Sequence, residues 1–236
     1  MNAPGFESSI LGSKEHWDWV YARELASFRE IGDEGEVWFG EDSVDKMVRW
    51  AAEHVPSSDG PMILEIGSGN GALLFSLVEQ DYSPERLCGI DYSSDAVELA
   101  KNIAQQRGAQ DVAFHTCDFL IQDPPPILQE QESSGCIDSW DLLLDKGTYD
   151  AIALGDKDEL GRLPVFQYPS RAGRLIKPGG FLLITSCNFT EEELRNNLTT
   201  PESGLMYHSS IKYPSFTFGG QSGAKYSSVA FQKANK

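Results

Sequence analysis

A short apolar run, Met62-Ile63-Leu64-Glu65-Ile66, passes directly into Gly67-Ser68-Gly69-Asn70-Gly71 and then into a helical pattern from Ala72 to Gln80. Strand, glycine turn and helix in that order open a βα unit, which few architectures accommodate. Glycine adopts positive φ without strain and lets the backbone approach a ligand closely. The rest of the chain keeps the rhythm. Leu87 to Asp91 reads as a second strand. A helix capped by Ser93 or Ser94 follows, carrying Ala96, Val97, Leu99, Ala100 and Ile103, and Val112 to Cys117 is the third strand. Trp140 to Asp145 is the fourth, Pro164 to Ile176 is a helix ending at Lys177-Pro178-Gly179-Gly180, and Phe181 to Ser186 is the fifth. Alternation of this kind predicts an α/β, Rossmann-like fold, a mostly parallel sheet with helices on both faces. After a helix from Thr190 to Leu198, the β-rich stretches Ile211 to Phe218 and Tyr226 to Gln232 are expected to pair as a C-terminal antiparallel hairpin across the glycine-rich residues 219–223.

Ahead of the first strand the pattern is helical. Trp17, Val20, Tyr21, Leu25 and Phe28 share a face between Lys14 and Phe28, and Gly32 and Gly35 break it. An aromatic turn, Glu36-Val37-Trp38-Phe39-Gly40, leads to a second helix, capped by Asp42 or Ser43, with the apolar face Val44, Met47, Val48, Ala51 and Val55. Residues 1–60 are thus expected to be an N-terminal helical extension, and 61–236 the sheet domain. The Pro-rich stretch Ile121 to Ser139 reads as a surface loop.

Thirty-six Asp and Glu against 19 Lys and Arg give a net charge of −17. Binding to phosphate backbones rests on clustered cations, so nucleic acid is excluded as the main partner, as is an anionic membrane surface. A basic partner fits the charge; so does solubility alone. Cys88, Cys117, Cys136 and Cys187 form no C-x-x-C pair, and the first, second and fourth lie in apolar runs expected to hold reduced core thiols. Neither a signal peptide nor a membrane-length apolar run is present in the sequence, so a cytoplasmic protein is expected.

Asp91 ends the second strand about 20 residues beyond the glycine loop, where a carboxylate accepts the hydroxyls of a ribose. Gly67-x-Gly69-x-x-Ala72 also satisfies the dinucleotide fingerprint, which keeps a nicotinamide-dependent oxidoreductase as a rival. Two features weigh against it. Glu65 stands where a dinucleotide site has an apolar strand residue, and the sheet ends in a hairpin without a second mononucleotide-binding half. Both favour one nucleoside with a short zwitterionic tail, which describes S-adenosyl-L-methionine. Ser68 is not in a G-x-S-x-G elbow, and His16, His54, His115 and His208 lack partners at metal-ligand spacing, so no metal is expected.

Glu65-x-Gly67-x-Gly69-x-Gly71, Asp91 and the pair Asp118-Phe119 resemble the seven-β-strand methyltransferases. Three segments resemble one family within them, the elongation factor 1-alpha lysine methyltransferases. These are Trp17, Tyr21 and Glu24 with Glu36-Val37-Trp38-Phe39-Gly40; Asp145-Lys146-Gly147-Thr148-Tyr149-Asp150-Ala151-Ile152; and Thr185-Ser186-Cys187-Asn188. The resemblance implies that Gly67, Ser68 and Gly69, flanked by Glu65 and Asn70, line the methionine part of the cofactor. It implies that Asp91 holds the ribose with Tyr92 alongside, that Asp118 accepts from the adenine amino group, and that Phe119 flanks the ring. Asp145 is expected to face the sulfonium and the incoming amine, as the catalytic residue. Trp38 is expected at the cofactor or a lysine channel with Phe39, while core packing is the plainer reading of Trp17 and Tyr21.

The expected activity is therefore methylation of a lysine on a basic protein substrate, elongation factor 1-alpha, by a monomer. The rivals are a small-molecule methyltransferase with the same cofactor, a dehydrogenase, and an adapter that has lost turnover. The Asn/Asp-Pro-Pro-aromatic motif for planar amide-like nitrogens is missing after the fourth strand. The acidic run Asp33, Glu34, Glu36, Glu41, Asp42 and Asp45 reads as a solvated face that can also meet a basic surface.

Overall fold

Five strands run parallel, and after the first, second and fourth of them a turn and a helical segment carry the chain back across the sheet. In the computed structural model, which describes residues 9–127, 139–218 and 221–235, they are β1 (Ile63–Ile66), β2 (Leu87–Asp91), β3 (Ala113–Thr116), β4 (Trp140–Lys146) and β5 (Ile176–Ser186). β6 (Leu205–Ile211) and β9 (Ser227–Lys233) complete a seven-stranded sheet of order β3-β2-β1-β4-β5-β9-β6, with β9 antiparallel to both neighbours. β7 (Ser215–Phe218) and β8 (Gln221–Ala224) pair only with each other. The helices are α1 (Lys14–Ile31), α2 (Glu41–His54), α3 (Ala72–Val78), α4 (Ser94–Arg107), α5 (Thr148–Ala153), α6 (Tyr168–Leu175) and α7 (Glu191–Leu198).

The expected C-terminal hairpin needs correction in its parts. β6 begins at Leu205, and β9 pairs with it rather than with residues 215–218, which form the separate β7–β8 ladder. Gly219 and Gly220 lie outside the described residues, as do Cys136 and most of the predicted 121–139 loop. The Lys177–Gly180 turn belongs to β5, whose pairing with β4 jumps from Trp140↔Ile176 to Leu142↔Phe181. Neither Asp42 nor Ser43 caps α2. The helix starts after Gly40, and Ser43 Oγ donates back to the Gly40 carbonyl at 2.8 Å.

Strand alternation sorts the core into two layers. Ile63, Leu142 and Leu144 pack with Tyr21, Leu25, Met47 and Leu73 from the helices α1 to α3. Leu64, Ile66 and Leu143 pack with Tyr149, Tyr168, Leu175 and Leu194 from α5 to α7. The same parity decides where the polar residues at the strand ends go. Asp145 shares the parity of Leu143, and Lys146 and Glu65 share that of Leu144 and Ile63.

Asp145 accordingly turns into the layer of α5 and α6. It is fully buried and accepts hydrogen bonds from the Thr148 amide at 2.9 Å, the Tyr149 amide at 3.1 Å and the Tyr168 hydroxyl at 2.7 Å. This carboxylate closes the first turn of α5 and ties it to α6. Burial pushes Asp145 up to about 7, against the pull of those donors.

Asp145→Asn should therefore cost stability rather than chemistry. Losing an acceptor for buried backbone amides costs about 1–3 kcal/mol, read by urea unfolding. The folded chain keeps the Asp145 proton through a pH window in which the unfolded chain has released it, so its contribution falls as pH rises toward 7. The stability gap between wild type and Asp145→Asn should narrow between pH 5 and pH 7. A gap that widens over that range would contradict the buried, amide-bonded carboxylate.

Candidate functional site

In an open parallel sheet the ligand crevice lies outside the carboxyl ends of the strands, where the strand order reverses. Here the reversal falls at β1, between β2 and β4. One cavity opens there, and the sheet order arranges its floor. Cys117 to Leu120 follow β3, Asp91 and Tyr92 end β2, Gly67 to Asn70 follow β1, Lys146 to Thr148 end β4, and Cys187 and Asn188 follow β5. The roof comes from the N-terminal region, through Leu11, Gly12, Trp17, Tyr21, Trp38 and Phe39.

The glycine loop is fixed from below. The amides of Gly67 and Ser68 donate to the Ile90 carbonyl at 2.8 and 3.0 Å, binding β1 to β2 beyond the ladder. Gly67 and Gly69 both have positive φ, and a Cβ on either would collide with the Thr148 hydroxyl or the Tyr21 hydroxyl, respectively. Asn70 Oδ1 accepts from the Ala72 amide at the start of α3 at 3.3 Å, while its Nδ2 donates to the Glu34 carbonyl at 3.0 Å and so ties the roof to the loop.

Asp91 is 5% exposed. One carboxylate oxygen accepts from the Gly69 amide at 3.1 Å and the other from the Ser93 amide at 2.9 Å, so each keeps lone-pair capacity toward the cavity. Burial pushes it up to about 6, against those two amides. Tyr92 lines the cavity beside it, its hydroxyl donating to the Ser13 carbonyl at 3.5 Å. Asp118 accepts from the Leu120 amide at 2.9 Å. Phe119 is buried against Tyr168, with 5.0 Å between ring centroids, and still lines the cavity.

Three buried polar atoms near the loop have no partner among the described residues: Glu65 Oε2, Ser68 Oγ and Trp38 Nε1. An unsatisfied buried polar atom costs about 1–3 kcal/mol, which a ligand bearing complementary groups relieves. Burial raises Glu65 well above the usual carboxylate range, and burial lowers the neighbouring Lys146. Lys146 Nζ donates to the Trp38 carbonyl at 3.1 Å, so the cation at the end of β4 holds the aromatic turn over the site. Trp38 packs edge-on against Trp17, with centroids 4.9 Å apart. An ammonium and a carboxylate on one short tail match an acceptor at Glu65 and donors at Ser68 and Trp38. That donor set fits the methionine end of S-adenosyl-L-methionine.

The structure thus brings Trp38, Gly67, Ser68, Gly69, Asn70, Asp91, Tyr92, Asp118 and Phe119 to one cavity, with Glu65 buried beneath them. It does not bring Asp145 there: its carboxylate faces the opposite layer. Trp17 and Tyr21 both pack and line, combining the two readings. Cys187 is exposed at the rim rather than in the core, because β5 ends one residue before it. Sequence reasoning passed over Leu11, Gly12, Lys146 and Asp150. Strand parity was the available signal for Lys146; nothing local marked Leu11 or Gly12.

Residues 57–230 match the family model described as a methyltransferase domain. The chain is 40% identical to the protein-lysine N-methyltransferase efm4 of Schizosaccharomyces pombe, over 97% of this chain and 96% of that one. It is 38% identical to EEF1A lysine methyltransferase 2 of Homo sapiens, over 97% and 89%. Among solved structures, the [4+2]-cyclase SpnF superposes with a TM-score of 0.64 at 14% identity, over the whole of both chains. The N-methyltransferase NodS from Bradyrhizobium japonicum, in complex with S-adenosyl-L-homocysteine, gives 0.59 at 16%, over 92% of this chain and 98% of that one. At such identities the structures speak for the fold alone, and a cyclase among them shows how loosely fold constrains chemistry. The relatives that span nearly its whole length place this chain in the family of protein-lysine N-methyltransferases built on a methyltransferase domain.

Proposed function

We propose that this protein is an S-adenosyl-L-methionine-dependent protein-lysine N-methyltransferase that acts as a monomer, in the cytoplasm, on elongation factor 1-alpha. The observation that carries the cofactor is the set of buried atoms around the glycine loop without a partner among the described residues, Glu65 Oε2, Ser68 Oγ and Trp38 Nε1, next to an Asp91 with spare acceptor capacity. The substrate reading is supported by the relatives named for lysine methylation at 38–40% identity, and by a net charge of −17 suited to a basic partner. A small-molecule methyltransferase shares the cofactor site but gains nothing from that charge.

In this reading Gly67, Ser68 and Gly69 cradle the methionine tail, with Glu65 accepting from its ammonium and Trp38 donating to its carboxylate. Asn70 holds the roof on the loop. Asp91 accepts from the ribose with Tyr92 beside it, Asp118 accepts from the adenine amino group, and Phe119 flanks the ring. When bound, S-adenosyl-L-methionine supplies a methyl group already activated on a sulfonium. What remains for the protein is to place the amine in line, to exclude water and to deprotonate the amine. Desolvation beside a cation lowers the pKa of a lysine amine, which favours the reactive neutral form.

Three measurements test the proposal. S-adenosyl-L-methionine or its demethylated product should raise the melting temperature by mass action, and Asp91→Ala should remove most of the shift, about 1.5–3 kcal/mol of binding. Stabilisation by a nicotinamide dinucleotide instead would transfer the site to a dehydrogenase. Burial keeps Glu65 protonated above the usual carboxylate range, so binding the cofactor's ammonium should expel a proton and affinity should rise with pH. Calorimetry in buffers of different ionisation enthalpy should register this release, and Glu65→Gln should diminish it. Finally, kcat/KM on elongation factor 1-alpha should fall as added salt screens the encounter. Equal turnover of a small neutral amine at all salt concentrations would point to the small-molecule reading.

A further inference from the structure

The order of the strand ends constrains where a second substrate meets the cofactor. A nucleoside held by Asp91 and Asp118 lies over β2 and β3, and its tail lies over β1. The unclaimed floor is the end of β4 and β5, with Lys146, Gly147, Asp150, Cys187 and Asn188. Four carboxylates line the whole cavity: Glu36, Asp91, Asp118 and Asp150. Glu36 is exposed on the roof, and Asp91 and Asp118 stand on the nucleoside side. Asp150 is the buried acid on the open side, 5% exposed, in the first turn of α5.

Like Asp91, and unlike Asp145, it lines the cavity. One oxygen of Asp150 accepts from the Ser186 hydroxyl, and the other accepts from the Cys187 amide at 2.8 Å. The Cys187 thiol and the Asn188 amide donate to it as well, so the carboxylate is fixed in orientation where it lines the cavity. Asp145 is held by two amides and a tyrosine hydroxyl and does not line this cavity. The groups that bear on Asp150 are Asp145 from β4, the Cys187 thiol from the end of β5 and Tyr149 on its own helix. Burial holds Asp150 above the usual carboxylate range, and the Ser186 and Cys187 donors pull against that.

We propose that Asp150 receives the substrate lysine, accepting a hydrogen bond from its ε-amine and taking the proton the ammonium must lose. This assignment rests on the methyltransferase reading above. The balance is simple. The ammonium gives one proton to the Asp150 carboxylate, which passes it to water. The nitrogen lone pair then forms the bond to the methyl carbon while the carbon–sulfur bond breaks, its electron pair going to sulfur. The product is a methylated ammonium and a neutral thioether, with no oxidant or reductant required.

The competing account is that Asp150 only tethers the turn after β5. Ser186→Ala separates the two, because it loosens that turn, removing its contacts to the Asn188 and Phe189 amides and one of the donors to Asp150, yet keeps the Asp150 carboxyl group and its Cys187 and Asn188 donors. The experiment measures cofactor affinity by calorimetry and methylation of recombinant elongation factor 1-alpha at saturating cofactor, from pH 6.5 to 9.5. One charge-assisted contact made in the transition state corresponds to a loss of about 30- to 150-fold in kcat for Asp150→Asn at neutral pH. Its cofactor affinity should stay near wild type. Its rate should recover toward high pH, where the amine deprotonates in solution. Ser186→Ala should lose much less and show no such recovery. Near-wild-type kcat in Asp150→Asn, or an equal and pH-independent loss in both variants, overturns the assignment. If Asp150→Asn fails to fold, Asp150→Glu keeps an acceptor for the turn and displaces the carboxylate; unchanged kcat there overturns it equally. A wild-type protein that labels no lysine at any pH removes the methyltransferase reading itself, and this assignment with it.

Discussion

The hydrogen bonds of the Asp145 carboxylate set the geometry on which the site depends. They turn the chain sharply from β4 into α5, so that Lys146 leaves the strand toward the N-terminal roof and Asp150 emerges one turn later at the cavity. A buried carboxylate satisfied by two backbone amides and a hydroxyl is a rigid anchor, since any tilt of α5 leaves a charged or polar group without a partner. The Thr148 hydroxyl extends the same anchor by donating to the Ile66 carbonyl at 2.9 Å, which fixes α5 against the start of the glycine loop. The floor of the cavity is therefore one rigid surface, held from beneath by a residue that does not line it.

Above that surface the electrostatics are unusual for an acidic protein. Glu65, Asp91 and Asp150 are all buried and all raised by desolvation, and Lys146 is lowered by it. Burial thus disfavours the charged form of each of these groups. Both expected occupants are cationic, a sulfonium with an ammonium and a lysine, and each supplies the charge that lets a buried carboxylate ionise. The exterior works at longer range. Glu34 of the acidic run pairs with Arg107, and Asp42 with Lys46, so part of that run is neutralised locally. Glu36 stays exposed at the cavity mouth.

Much of the fold was legible because alternation of strand and helix is written in the period of the apolar residues. The glycine loop and Asp91 were legible because backbone approach and ribose binding demand particular residue types at a fixed spacing. Asp145 shows where type and spacing stop helping. It is an acid at the end of a central strand, but the neighbouring Leu142, Leu143 and Leu144 are equally apolar, so composition gives no sign of which face carries the site. The layer is decided by which helices pack on which side, a tertiary fact. Once Ile63 and Leu144 are known to face α1 to α3, the strand period alone sends Glu65 and Lys146 to the roof and Asp145 away from it. β6 escaped for a different reason. Its exposed edge carries Met206, Tyr207 and His208 without a clean apolar alternation.

The roof shows why a segment without a recognisable binding motif still belongs to the site. A Cβ on Gly147 would strike the Phe39 ring, and one on Gly12 would strike the backbone of Leu154 and Gly155. The N-terminal region thus meets the floor at van der Waals distance at two separate places. The Ser9 amide donating to the Leu154 carbonyl at 3.1 Å and Trp17 Nε1 donating to the Leu11 carbonyl at 2.7 Å hold the near end. Lys146 holds the far end through the Trp38 carbonyl. Close contact at both ends holds the roof over the cavity, and a ligand seated between roof and floor meets the raised carboxylates in a medium where their attraction to a cation is stronger than in water. The two glycines, neither in the glycine motif, are therefore as much a part of the chemistry as the loop that announces it.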